Sequence, residues 1–423
     1  MSGYRERLVG FYQTNRALVW VSVVILVTQL GFGSVVPALP LYAQSFGVSQ
    51  SAIGLAISIY GFARFLVNVP TGQLADLMGR RWALVLGEIA TIVGNLLCGL
   101  AGSYELFLAA RFLAGVGGAM VITTSQVILA DISTRANRGR TMAVYQGAFL
   151  FAIGFGPVPG GFLAEYFGLS APFFVYSAAG VIAGIVAFDK IPETKGIREK
   201  TEQYSSSAMA TSHFSLYRQL QALFSQVGFL LVSFVTFVQF FARTGAIFGI
   251  VPLVAAAKMG ATADQIGIIM AVPSALHLAT VYFSGQLVDQ FGRKPVIVPS
   301  TLVSGLSMIS FALAPDYSWL LFSALLWGLA GGIGGPSPAA YAADVAPPGM
   351  NAITMGCYRT LADLGYTIGP VLLGWIADVA SGEVSLWLTG GLFLVGGLLF
   401  GLFAPETGGK RNLAKRPATH PSS

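Results

Sequence analysis

GQLADLMGRR runs from Gly72 to Arg81, and GQLVDQFGRK runs from Gly285 to Lys294, 213 residues further on. Each is a charged island between long apolar runs. Gly79 and Gly292 supply the backbone freedom of a tight turn. The pairs Arg80-Arg81 and Arg293-Lys294 hold that turn at a membrane edge. Asp76 and Asp289 close the preceding runs, and a carboxylate placed there needs a cation or free N–H groups as partner. Gly72 and Gly285 complete the shared spacing.

The runs on either side set the class. An apolar stretch of about 20 residues crosses the hydrocarbon core as a helix, because in lipid every backbone polar group needs an internal partner. Twelve are predicted, six between Ala17 and Phe188 and six between Phe224 and Ala404. The 423 residues are 55% hydrophobic and 10% charged, against about 25% charged in a soluble domain. Mean hydropathy is +0.72. The net charge of +6 is not a nucleic-acid signal. Lys and Arg gather in the N-terminal segment, alternate loops, the linker and the tail, which places both termini in the cytoplasm of a multi-pass protein, most simply in the plasma (inner) membrane. Cys98 and Cys357 fall inside spans, so neither a disulfide framework nor a metal site is expected.

The shift of 213 also carries Gly115 to Gly328, Asp131 to Asp344, Gly156-Pro157 to Gly369-Pro370 and Pro192-Glu193-Thr194 to Pro405-Glu406-Thr407. The chain is an internal duplication. Six spans per half keep the halves parallel, related by an axis along the membrane normal. The expected division is a cytoplasmic segment 1–16, halves 17–189 and 224–404, a polar linker 190–223 with a short helix at Leu216–Phe224, and a tail 405–423. The fold class is an all-α membrane protein of two six-helix halves with a pseudo-two-fold.

These features resemble the major facilitator superfamily, in particular its twelve-span drug:proton antiporters. Four motifs carry the resemblance. The decapeptides fit G-x-x-x-D-x-x-G-[RK]-[RK], although the basic residue the family often has after the Asp is Leu77 or Gln290 here. Leu30-Gly31, Pro37 and Pro40 fit the first-span pattern L-G-x5-P-x-x-P. Arg111, Gly115 and Gly117 fit R-x-x-x-G-x-G in span four. Gly156, Pro157, Gly160 and Gly161 fit the end of the span-five antiporter motif, whose upstream glycines are Ala143 and Ala152 here. Sugar porters share the first and third motifs and a string like Pro192–Gly196. The resemblance implies alternating access, a proton-coupling role for Arg111, and a cavity lined in part by span seven, which carries Gln239 and Arg243.

Ionisable groups inside the bilayer are expensive and therefore functional candidates. Arg64, Glu88, Arg111, Arg243, His277, Arg359 and Asp363 are embedded. Arg64 lies about 18 Å from the level of Asp76, and His277 is its repeat equivalent. Arg359 and Asp363 form an i,i+4 pair. Asp363 reads as the deepest acid and the expected proton-coupling site, with Arg111. Glu88 reads as structural or gating. Span one holds no acid, and the arginines outnumber the acids, which favours an anionic or zwitterionic substrate group over a lipophilic cation. Tyr145 and Trp327 are expected to line the substrate cavity with Arg64, Gln239, Arg243, His277 and Arg359. The expected activity is not enzymatic. It is proton-coupled efflux of an amphipathic small molecule, organic anion or drug, by a monomer in contact with lipid, without cofactor. A metabolite symporter or facilitator, for an organic anion or a sugar, and a receptor or lipid transporter on the same fold are the alternatives.

Overall fold

The computed structural model describes residues 2–133, 138–195, 216–347 and 350–407, and these are helical almost throughout. The linker interior (196–215) and the tail from 408 lie outside the described residues. Among the described residues, eleven helices are long and apolar enough to cross a membrane. The remaining expected span, the eighth, is an unbroken 29-residue helix, Ala263–Phe291. The linker helix is Leu216–Phe224.

Two compact units form. The first is Met1–Ala210 with Thr262–Ala271, and the second is Thr211–Ala261 with Val272–Ser423. The first two and a half turns of span eight thus pack with the first unit. There Ala263 N donates to Glu165 Oε2 at 3.0 Å. The core of the first unit is built by Val24 and Ile25 of span one, Leu84 of span three, Val121 and Ile128 of span four, and Ala183 of span six. In the second, Phe229, Val232 and Val235 of span seven meet Ile297, Tyr341 and Phe400.

Proline decides where several spans are cut, because it lacks an N–H and its ring clashes with the preceding turn. Span one stops at Val35 and restarts as Leu39–Gln44, with Pro37 in the gap and Pro40 in the restarted first turn. Span five is Arg138–Phe155 and Pro157–Phe167, joined at Gly156. The repeat equivalent Pro370 instead sits inside the continuous helix Asn351–Val379. Helix starts repeat as well. Ser103 accepts from Leu106 N at 3.3 Å, and Asp316, its equivalent, accepts from Trp319 N at 2.9 Å.

Small residues bring backbones together, the packing currency of membrane helices. A Cβ on Gly156 would lie 2.7 Å from the Cα of Gly33, and one on Gly160 would strike the backbone of Ser34. The first-span and span-five motifs are therefore two sides of one helix crossing. Gly161 faces Ala263, Asp264 and Gly267 at the start of span eight. In the second unit Gly365 and Gly369 abut the backbone of Phe237 and Phe241.

Candidate functional site

Three groups of polar side chains stand out. The first lies at the basic end of each unit. Span two ends at Met78, and Gly79 turns the chain with φ of 97°. The backbone N–H groups of Arg80 and Arg81, freshly exposed at the start of span three, donate to Glu193 Oε1 (2.9 Å) and Oε2 (3.2 Å). Arg80 Nη2 reaches Asp76 Oδ1 at 2.8 Å. Its Nε donates to Asp131 Oδ2 at 3.0 Å, and Thr194 Oγ1 donates to the same oxygen at 3.0 Å. One arginine thereby ties spans two, three and four together, and the string after span six caps the assembly.

The second unit repeats these contacts among its described residues. Gly292 has φ of 101°. Arg293 N and Lys294 N donate to Glu406 at 2.9 and 3.1 Å. Arg293 Nε and Thr407 Oγ1 both reach Asp344 Oδ2 at 3.0 Å. The side chain of Asp289 lies outside the described ones. The carboxylate of Asp76 finds its cation within its own unit, four residues on, and is 68% exposed. Glu193, Asp131 and their equivalents were visible in the sequence only as repeat landmarks. The meeting of Glu193 with Arg80, 113 residues earlier, is a product of the fold. Burial pushes the Glu193 carboxyl up, but the backbone N–H groups of Lys195, Arg80, Arg81 and Thr194 outweigh this and hold it below the usual Glu value. Its cap is therefore fully present above the ordinary Glu range and is lost as pH falls through the lowered value. Glu193→Gln is expected to lower stability by about 1 kcal/mol at neutral pH. The difference from the parent should vanish in acid, as read from thermal midpoints across a pH series.

The second group is inside the first unit. Arg111 is 2% exposed. Its Nε donates to Ala56 O at 3.3 Å, its guanidinium lies 4.7 Å from the Tyr60 ring centroid, and Nη1 has no hydrogen-bond partner among the described residues. Glu88 is wholly buried and accepts from Thr28 Oγ1 at 2.7 Å. Tyr176 sits within electrostatic reach of Tyr60, Glu88 and Arg111. Its ring occupies the space left by the missing side chain of Gly31, which gives that motif glycine a reason. Arg64 and Tyr145 also interact within this unit, Tyr145 from within the apolar core.

The third group is inside the second unit. Residues 242–250 of span seven form a π-helical stretch between Val227–Phe241 and Val251–Met259. Such wide turns are uncommon and favour functional sites. Thr244 on it donates to Phe240 O and Tyr366 O at 2.9 and 3.0 Å, fastening it to span eleven. The stretch carries Arg243, one turn past the half-buried Gln239. Arg243 interacts electrostatically with Arg359 and with His277. His277 lies against Gly331 and Gly335 of span ten. Arg359 Nε pairs with Asp363 Oδ1 at 3.4 Å and lies over the Phe240 ring. Asp363 is 25% accessible. Glu88, by contrast, is wholly buried, since distance along a helix does not report which neighbours surround a side chain. Trp327, expected at the cavity, stacks edge-on against Phe393 at 5.7 Å.

Comparison with known proteins agrees with this architecture. The sequence profile of the Major Facilitator Superfamily matches residues 21–245 and 232–422. An uncharacterized MFS-type transporter of Methanocaldococcus jannaschii is 24% identical over 372 residues, which are 88% of this chain and 93% of that protein. Multidrug resistance protein 2 of Bacillus subtilis is 26% identical over 84% of this chain and 87% of its own length. The crystal structure of the human organic anion transporter MFSD10 superposes with a TM-score of 0.64 at 20% identity, covering 91% of this chain and 99% of that one.

Proposed function

The chain belongs to the Major Facilitator Superfamily and is a multi-pass membrane transporter, and on that premise we propose that it exports an amphipathic organic anion in exchange for protons by alternating access. One observation carries the substrate class. Arg243, Arg359 and His277 converge in the second unit, and Asp363 is the one acid paired with them among the described residues. Two guanidinium groups against one carboxylate, with the His277 imidazole beside them, suit a carboxylate, sulfonate or phosphate group. Phe240 and Phe248, beside the two guanidinium groups, suit an apolar body. In the empty site Asp363 neutralises Arg359, and an arriving anion replaces it. The names of two similar proteins, a multidrug resistance protein and an organic anion transporter, agree with this reading.

The decapeptide networks are proposed to stiffen the basic ends, which we place in the cytoplasm of the plasma membrane, so that each unit moves as a rigid body during the cycle. Arg111 is proposed to act in proton coupling. Its buried and incompletely satisfied guanidinium supports that role.

The test is uptake into everted membrane vesicles with an imposed acid interior, using fluorescein as the anionic probe and ethidium as the cationic one. The parent is expected to concentrate fluorescein, and Arg359→Gln to lose tenfold or more, because a hydrogen bond to a charged group contributes about 1.5–3 kcal/mol. Uptake of ethidium alone, or uptake indifferent to Arg359→Gln, would refute the anion site.

A further inference from the structure

Glu88 is a buried carboxyl for which the transport scheme above gives no task. It has 0% exposure, one hydrogen bond, from Thr28, and no partner for Oε2 among the described residues. It lies eight residues into span three, about 12 Å along the helix from Arg80. The titratable and charged groups around it are few. Span six presents Tyr176 and span one the uncharged Thr28, and Tyr176 in turn faces Tyr60 of span two and Arg111 of span four. No ion pair to Glu88 forms among the described residues. An ionised carboxylate so enclosed costs several kcal/mol, more than the single Thr28 hydroxyl returns. Oε2 faces Gly180 of span six, 3.7 Å from where a Cβ would stand.

The internal repeat says whether packing demands an acid there. Gly184 faces the Cβ of Glu88 at 3.5 Å, and its equivalent Gly397 faces the Cγ2 of Thr301 at 3.4 Å, so the register holds in three dimensions. Across that register Thr28, Tyr60, Glu88, Arg111 and Tyr176 correspond to Phe241, Pro273, Thr301, Ala324 and Thr389. The same bundle is built in the second unit without an acid, an arginine or a tyrosine at these places. The polar chain is peculiar to the first unit, and an incompletely bonded buried group kept without structural need calls for a chemical reason.

We propose that Glu88 carries the proton of the exchange. The proton adds to a carboxylate oxygen when one face of the first unit admits water and leaves as a hydrated proton when the other does. The carboxyl thus alternates between neutral and singly negative, and no other bond changes. Thr28 donates to it in both forms. Arg111, which reaches Glu88 only through Tyr176, acts as a positioning residue. This assignment rests on the proton-exchange reading of the protein.

Two measurements test it separately from that reading. Infrared spectra of the purified parent at neutral pH should contain a protonated-carboxyl band that Glu88→Gln removes and Asp363→Asn leaves. In everted vesicles Glu88→Gln should keep probe-for-probe exchange of fluorescein yet lose the response to an imposed pH gradient, at least tenfold. Thr28→Val, in case Glu88→Gln folds poorly, should keep flux and move its pH midpoint to the alkaline side, because the ionised carboxyl has lost its donor. A band unchanged by Glu88→Gln, or a gradient response equal to that of a responsive parent, overturns the assignment and leaves the exchange standing. A parent that exchanges fluorescein but ignores the gradient overturns the exchange reading, and the assignment with it.

Discussion

Arg80→Leu is expected to cost about 3–5 kcal/mol, the range for stripping one partner from a buried ion pair. The side chain of Asp131 is 0% exposed and would keep its charge with only the Thr194 hydroxyl beside it. Asp76 would also lose its cation and the Ala75 carbonyl its donor, so three helices would be untied at once. The repeat provides the control. Arg293 likewise bonds Asp344 and the Val288 carbonyl, yet Asp344 is 30% exposed, and water takes over much of what the arginine supplied. Arg293→Leu should therefore cost about 1 kcal/mol, as for solvent-exposed pairs. Adding Asp131→Asn to Arg80→Leu should recover part of the loss, since it removes the stranded charge. Thermal unfolding midpoints in detergent decide the matter, and equal shifts for the two arginines would show that burial is not what separates them.

Gly160→Ala should be nearly as damaging, at about 1–3 kcal/mol with loss of transport, although it adds a single methyl. The atoms in its way are the carbonyl and Cα of Ser34, which cannot turn aside as a side chain would. Span one and the second segment of span five would have to separate along the whole crossing that Gly33 and Gly156 also form. Gly147, in the same span, has nothing within 4 Å of a new Cβ. Gly147→Ala should then be neutral or stabilising, by up to about 1 kcal/mol of helix propensity. Folded yield and fluorescein flux distinguish the pair, and a silent Gly160→Ala would mean that the crossing is looser than its backbone contacts indicate.

Reading the decapeptides outward was enough to place the spans, the duplication and the family, because these rest on local patterns: run length, a glycine turn, a fixed offset. Gly79 and Gly292 do adopt the left-handed backbone that their turn required. What lay beyond the sequence depends on which helices meet. Glu193 caps a helix 113 residues earlier, and only the folded bundle brings that string back to Arg80. The π-helical stretch around Arg243 has no periodic signature, since its wide turn is set by the fastening of Thr244 to span eleven. Pro157 interrupts its span and Pro370 does not, although the internal repeat pairs them. Asp363 and Glu88 look alike as acids in apolar runs. Arg359, four residues away, was legible as a partner for the first, but the contacts of the second with spans one and six were not.

The most direct test of proton-coupled anion export is the proton balance of binding. Fluorescein is added to the purified, detergent-solubilised parent in weakly buffered solution, with a pH indicator and ethidium as the comparison. Release of a proton on fluorescein binding, absent with ethidium and absent in Glu88→Gln, is the predicted result. Fluorescein binding without release, or with proton uptake, would contradict exchange and mark the protein as a facilitator or a symporter.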